Sequence, residues 1–268
     1  MVPSPHPGVN LSLLMAFEDV QEGYYEQDRV LGEYLAFHYP DGDPMRALLG
    51  DATPALETRF PYVVRSFWEP RPDGLALDVG AACGRVTLDL ARDHRHAIGL
   101  DLSKALMRGA RDVAKTGAAR YATVVEGDLI ERHDVAVDAP ANASFLVGDA
   151  LQLPVPSDRF DTVVALNLID RVPDPARALD ELARVTALGG TLIVASPYTW
   201  LPQFTDRERW LGGFVRNSDE VRGIETVKEH FREGFTLLDE RRLPFFIPHH
   251  ARSGQLGVAI LVSLRRDR

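Results

Sequence analysis

The feature that most constrains this chain is a strand–turn–helix–strand run between residues 75 and 103. A short apolar stretch at residues 75–79 enters a turn of small residues, Gly80-Ala81-Ala82-Cys83-Gly84, and a helix is predicted from Arg85. A second apolar stretch, residues 97–100, ends in Asp101, 21 residues after Gly80. Such a turn lets a ligand lie on backbone N–H groups at a helix N-terminus, and the acid reaches ribose hydroxyls. The order points to a nucleotide-type pocket. A dinucleotide fingerprint would read G-x-G-x-x-G, its third glycine allowing close helix–strand packing around a pyrophosphate. Counted from Asp78 the turn reads D-x-G-x-A-x-G instead, and Arg85-Val86-Thr87 follows Gly84 with no further glycine. A phosphate-free cofactor is preferred over a nicotinamide dinucleotide.

The alternation of apolar strands and amphipathic helices after residue 74 predicts an α/β chain, Rossmann-like, with a seven-stranded, mostly parallel sheet flanked by helices. The 268 residues, 45% hydrophobic and 26% charged, suffice for a sizeable core. Thirty Lys and Arg against 39 Asp and Glu give a net charge of −9. An acidic balance without a basic run argues against nucleic-acid binding, which needs clustered cations. No apolar run approaches the roughly 18 residues of a membrane span, and the start lacks a signal-peptide pattern. One cysteine, Cys83, excludes an intramolecular disulfide and fits a reducing compartment. The expectation is a cytoplasmic protein with no membrane partner. The histidines show no metal-ligand spacing, so no metal is expected.

Residues 1–22 read as a flexible Pro-rich arm and residues 23–70 as an N-terminal helical cap. Within the cap, residues 24–39 carry the i, i+3, i+4 pattern of an amphipathic helix, and residues 60–68 suggest another. Pro70 to Gly74 reads as a turn opening a core at 71–268. Strands are expected at 75–79, 97–100, 145–147, 160–166, 191–195, 235–242 and 255–264. Two segments end alike in Gly-Asp, at Gly127-Asp128 and Gly148-Asp149. Only the second continues like a core, so residues near 120–143 are read as an insertion. Helices are expected near 85, at 104–115, from Pro175 (capped by Asp174) to Gly189-Gly190, and at 219–230. The stretch near 197–217 is too long and aromatic for a connector, and reads as a substrate loop.

Four places at the carboxyl ends of predicted strands fit one ligand. The turn residues Asp78, Gly80, Ala82 and Gly84 come first, and Asp101 with Leu102 second. Asp149-Ala150 and Asn167-Leu168 complete the set. The turn resembles motif I of class I S-adenosyl-L-methionine (SAM) methyltransferases, whose cofactor carries no phosphate. On that resemblance the methionine part lies on the turn and the ribose diol on Asp101. Asp149 lies beside the adenine, Asn167 and Leu168 line the methyl side, and Tyr25 joins the cofactor set.

The segments YYEQDRVLGEYLAFHY, FPYVVRSF, LDVGAACGR, SPYTWL, WLGGF and LPFFIPHHAR resemble the 4-mercaptohistidine N1-methyltransferase family, the methyltransferase of ovothiol biosynthesis. Similarity runs from about Gly23 to about Val262. This family occurs alone or as the C-terminal domain of a bifunctional ovothiol synthase. The chain departs from it in the turn, where the family tends to show G-C-A-x-G, and in HHARSGQLG, which matches partly. The resemblance implies SAM-dependent N-methylation of the imidazole of a small-molecule, histidine-derived thiol, 5-thiohistidine (4-mercaptohistidine), with a sulfoxide synthase as functional partner. The selenium analogue, a generic O- or C-methyltransferase, and a non-catalytic SAM-binding protein remain alternatives.

Candidate substrate contacts come from the cap and the long loop: Tyr24, Tyr39, Arg65, Tyr198, Thr199, Trp200 and Trp210. An imidazole nitrogen attacks only with its lone pair free, so a proton acceptor is sought. Glu33 and His38, in the tyrosine-rich helix, are the candidate bases, and Tyr198 is a third candidate catalytic group.

Overall fold

A computed structural model describes residues 23–50 and 60–268; the expected arm at 1–22 lies outside the described residues. The core strands are short runs of Val, Leu, Ile and Ala buried on both faces, which is what a parallel sheet covered by helices requires. β1 (Arg71–Val79), β2 (His94–Asp101), β5 (Ala143–Val147), β6 (Phe160–Leu166) and β7 (Thr186–Ser196) pair in parallel. β11 (Ser253–Arg266) runs antiparallel to β7 and to β10 (Phe235–His250). The sheet order is β10-β11-β7-β6-β1-β2-β5, the expected seven-stranded, mostly parallel sheet. The order reverses between β1 and β6, and a crevice opens there at the carboxyl ends of the strands.

Helices cover both faces. α6 (Pro175–Val185) and α7 (Gly223–Phe231) enclose an apolar layer that includes Leu77, Val163, Leu179, Leu192 and Phe231. On the opposite face α4 (Arg85–Asp93) meets α3 (Phe60–Val63) and β10 around Phe60, Val86, Leu90, Leu243 and Phe245. α5 (Lys104–Thr116) and the cap helix α1 (Asp28–His38) share a third cluster around Leu35, Leu106, Met107 and Phe145. A short helix, α2 (Pro44–Leu49), is capped by Asp43. The segment read as an insertion forms a separate hairpin, β3 (Ala118–Glu126) with β4 (Leu129–Ala136).

The larger departures from the expected element boundaries fall in four places, each for a local reason. β1 begins at Arg71, because the Pro-Asp-Gly turn is a register shift within the strand: Arg71 pairs with His94, and pairing resumes at Leu75. Bulges tolerate proline because no ladder N–H is needed there. α6 stops at Val185 and not at Gly189-Gly190. Those glycines form an irregularity in β7, and a Cβ on Gly190 would lie 2.8 Å from the Ala187 carbonyl oxygen. The start of the expected helix at 219–230 is instead β9 (Asp219–Val221), paired with β8 (Phe214–Arg216), and the helix begins at Gly223. β10 and β11 run well beyond 242 and before 255, forming one long hairpin.

Gly84 occupies φ 81° at the start of α4, and a Cβ there would sit 2.5 Å from Phe145 Cε1. This glycine gives the close helix–strand approach that a dinucleotide turn assigns to a later glycine. Gly84→Ala is expected to destabilise the protein by about 3 kcal/mol, combining a left-handed backbone with overpacking. Urea unfolding would read this as a lower midpoint at unchanged slope.

Candidate functional site

The site is built around the turn after β1. The N–H groups of Gly80 and Ala81 both donate to the Leu100 carbonyl oxygen at the end of β2, at 2.8 and 3.0 Å. The Ala82 N–H donates to Asp101 Oδ2 at 3.0 Å, and the Ser103 N–H to Asp101 Oδ1 at 2.9 Å. Gly80 and Ala82 take positive φ, 78° and 45°; glycine accepts this freely and alanine at a cost of about 1–2 kcal/mol. The turn forms one wall of a cavity of about 830 Å³, towards the upper end for small-ligand sites and roomy enough for a cofactor beside a second small ligand.

Asp78, Gly80, Ala82, Asp101, Leu102, Asp149, Ala150, Asn167 and Leu168 all line this cavity, together with Tyr25. Gly84 does not, since it packs on Phe145. Burial raises the Asp78 carboxyl to about 7, although the Thr87 hydroxyl donates to it at 2.7 Å. Burial also raises the Asp101 carboxyl, against the backbone N–H groups of Ser103, Ala82 and Leu102, which favour its ionised form. Asn167, at φ 51°, keeps its Oδ1 buried without a hydrogen-bond partner among the described residues. An orphaned buried acceptor at a cavity wall is costly unless a ligand donor meets it. Three carboxylates and this carbonyl suit a cofactor bearing an ammonium and a cationic sulfur. They would repel a pyrophosphate. The residues present therefore fit SAM.

The opposite wall comes from the cap. Tyr24–Glu26 form a helical turn held onto α5: Ser103 Oγ donates to the Tyr25 carbonyl at 2.8 Å, and the Lys104 and Ala105 N–H groups donate to the Glu26 carboxylate. Tyr24, Glu33 and His38 line the cavity. Glu33 is buried and accepts from Arg29 Nη1 at 2.7 Å. His38 Nδ1 accepts the Arg85 N–H at 3.3 Å at the start of α4, so its proton resides on Nε2. Burial and the neighbouring Arg85 lower His38 to about 3. The imidazole is thus neutral at physiological pH and offers a donor, and its acceptor nitrogen is engaged.

Several expected substrate residues are elsewhere. Arg65 forms a two-point ion pair with Asp93, which also accepts from Trp68 Nε1, away from the cavity. Tyr39 is buried and donates to the Cys83 carbonyl at 2.9 Å, pinning α1 to the turn. Tyr198, at φ 53°, lays its ring on Gly223, where a Cβ would come within 2.5 Å. Burial raises its hydroxyl, which has no partner among the described residues. Trp200 is buried and stacks on Trp210 at 6.5 Å, and Trp210 Nε1 donates to the Thr205 carbonyl. None of Tyr198, Thr199, Trp200 and Trp210 lines the cavity. The loop instead supplies Leu201, Gln203 and Phe204.

Residues outside the sequence expectations also reach the site. Arg171 is the one Lys or Arg lining the cavity among the described residues, and Tyr34, Phe37, His249 and Gln255 complete the wall. Arg171 lies four residues after Asn167, in the first turn beyond β6, and that spacing is the signal that could have found it. His249 and Gln255 come from the β10–β11 hairpin, whose full length the strand pattern understated. No group of three or more metal-ligating side chains occurs among the described residues. No helix among them is long and apolar enough to cross a membrane.

Residues 77–194 match the family model described as a methyltransferase domain. Ajmaline N-methyltransferase of Rauvolfia serpentina is 28% identical over 129 residues, covering 48% of this chain and 37% of that protein. A ubiquinone biosynthesis O-methyltransferase of Hahella chejuensis is 23% identical over 193 residues, covering 72% of this chain and 64% of the relative. The chain thus spans less than two thirds of the length of these relatives. Among solved structures, the [4+2]-cyclase SpnF superposes with a TM-score of 0.59 at 21% identity, covering 92% of this chain and 95% of its own. The N-methyltransferase NodS of Bradyrhizobium japonicum, in complex with S-adenosyl-L-homocysteine, gives 0.52 at 18%, covering 89% and 99%. The fold is the class I methyltransferase fold, and the match at residues 77–194 is to a methyltransferase domain. A cyclase on the same fold is a reminder that chemistry is set by the site and not by the fold.

Asp78 titrates near neutrality, and a bound ammonium favours its ionised form. SAM affinity should therefore tighten as pH rises from 6 to 8, by about tenfold for each unit that binding lowers the Asp78 pKa. Asp78→Asn should remove this component. Calorimetric titration of both proteins across that range measures it, and the ligand's own titration cancels in the comparison.

Proposed function

We propose that this chain is a SAM-dependent methyltransferase that methylates an imidazole nitrogen of a small thiol-bearing histidine, 5-thiohistidine. The observation that carries the reading is the cap-side wall. It brings an anion, Glu33, and a cation, Arg171, into one cavity with the rings of Tyr34, Phe37 and Phe204. A small amino acid with an aromatic ring would meet a cation for its carboxylate at Arg171, an acceptor for its ring N–H at Glu33, and aromatic walls beside them. The motifs shared with the 4-mercaptohistidine N1-methyltransferase family support the same acceptor, and the N-methylating relatives support nitrogen as the nucleophile. O-methylating relatives leave the O-methyltransferase as the second reading. The selenium analogue has the same shape and charge and falls within the proposal. Such an acceptor is supplied by a reaction that installs sulfur on the histidine ring, and a sulfoxide synthase is the partner we assign to that step.

When bound, SAM supplies an electrophilic methyl on a cationic sulfur. The protein's part is alignment and proton management. Asp101 and Asn167 would hold the cofactor at the strand ends, and the cap wall, fastened to the turn through His38 and Tyr39, would shield the line of attack from water. The acceptor ring must present a free lone pair, and a proton must leave the ring as the bond forms. Glu33, a buried carboxylate on the cap wall, is the group we assign to take that proton. His38, neutral with its proton on Nε2, is placed to donate a hydrogen bond and hold the ring tautomer.

Incubation of the purified chain with SAM and 5-thiohistidine, followed by mass spectrometry, tests this. One methyl on an imidazole nitrogen is expected, and SAM binding without any methylated imidazole would overturn the acceptor. Glu33→Gln should lower kcat by about a hundredfold to ten-thousandfold, with SAM affinity unchanged. The pH profile of kcat should carry no inflection from His38 above pH 5, because that imidazole is already neutral there.

A further inference from the structure

The guanidinium of Arg171 is held rigidly yet has one edge unspent. Nη1 donates to the Asp170 carbonyl (2.9 Å), to Asp170 Oδ2 (2.8 Å) and to the Thr199 carbonyl (3.2 Å). Nη2 donates to Thr199 Oγ1 at 2.9 Å. Thr199 is fixed in turn, because its N–H and its hydroxyl both donate to Asp170 Oδ2 at 3.0 Å. Asp170 is fully buried, so this anion has no water to stabilise it and depends on Arg171 and Thr199. A guanidinium carries five N–H donors. The bonds above use both Nη1 donors and one on Nη2. The Nε–H and the second Nη2–H, which lie along one edge, have no partner among the described residues. The group lines the cavity, with Phe204 5.2 Å from its carbon.

We propose that this edge is a two-point clamp for an α-amino-acid carboxylate, with Asp170 and Thr199 as its positioning residues. The planar fork matches the spacing of two carboxylate oxygens, which a single ammonium cannot do. The clamp also gives the aromatic loop a task. Thr199 does not reach the cavity; it sets the angle of the residue that does. Two carboxylates share this chemistry, that of the methyl acceptor and that of the methionine part of SAM. The acceptor arm rests on the reading of the site as one for a thiohistidine; the cofactor arm does not.

Calorimetry separates the sources. Glutamine at position 171 would leave buried Asp170 without a cation, so Arg171→Lys is the variant, keeping charge and removing the fork. Its melting temperature verifies folding. S-adenosylhomocysteine is titrated first, then 5-thiohistidine and its decarboxylated analogue into the protein saturated with S-adenosylhomocysteine. If the clamp holds the acceptor, Arg171→Lys weakens 5-thiohistidine binding by about tenfold or more and leaves the decarboxylated analogue unchanged. Thr199→Val then lowers the same selectivity, and Thr199→Ser restores it. If it holds the cofactor, S-adenosylhomocysteine affinity falls by a similar factor instead. The clamp is overturned if both affinities stay within about twofold of wild type. Wild-type protein that binds 5-thiohistidine and its decarboxylated analogue equally removes the acceptor arm, whatever the variants do. Failure of 5-thiohistidine to bind wild type refutes the proposed acceptor, and S-adenosylhomocysteine affinity alone then decides the clamp.

Discussion

One carbonyl oxygen organises the site. Leu100, at the end of β2, accepts the N–H groups of both Gly80 and Ala81. This forces the chain leaving β1 to fold back across the neighbouring strand before it can enter α4. Everything that follows depends on that reversal. It requires left-handed backbone at Gly80, Ala82 and Gly84, and it brings the Ala82 N–H onto Asp101. It also sets the start of α4, where His38 accepts the Arg85 N–H and Tyr39 donates to the Cys83 carbonyl. The cap is thus fastened to the turn by two side chains of its own helix. Cys83 is inert in this arrangement, a buried thiol raised by burial, and what matters is its backbone oxygen.

The turn, the two acids Asp101 and Asp149, and Asn167 were legible because strand ends, glycines and carboxylates leave local signals. The seven-stranded, mostly parallel sheet followed from the alternation of elements. The cap-side wall was harder to read. Tyr198, Trp200 and Trp210 look like ligand contacts because large side chains in a long loop usually face a site. Here the loop turns away from the cavity: Tyr198 covers Gly223 at the start of α7, and the two indoles stack on each other. Which face of a loop meets a cavity depends on tertiary packing, and no period reports it. Arg65 illustrates the same limit, since a lone cation in a helix gives no sign of a distant Asp93. His249 and Gln255 escaped notice because Pro244 and Pro248 interrupt the strand signal, although β10 runs on past 242 through buried Leu243, Phe245 and Phe246.

The two walls divide the work. Carboxylates and an orphaned carbonyl line the turn side, which suits a cationic cofactor. One fixed guanidinium, one buried glutamate and a neutral imidazole line the other. The aromatic loop acts mainly as a brace: it orders Thr199, and Thr199 with Asp170 orders Arg171. Its largest residues, Tyr198, Trp200 and Trp210, stay off the cavity.

A crystal structure of the chain with S-adenosylhomocysteine and 5-thiohistidine bound would test the two-walled site most directly. The account predicts adenosine beside Asp101 and Asp149, and the imidazole within the cap wall beside Glu33 and His38, its nitrogen facing the sulfur. An acceptor bound outside the cap wall, or an imidazole turned away from the sulfur, would contradict it.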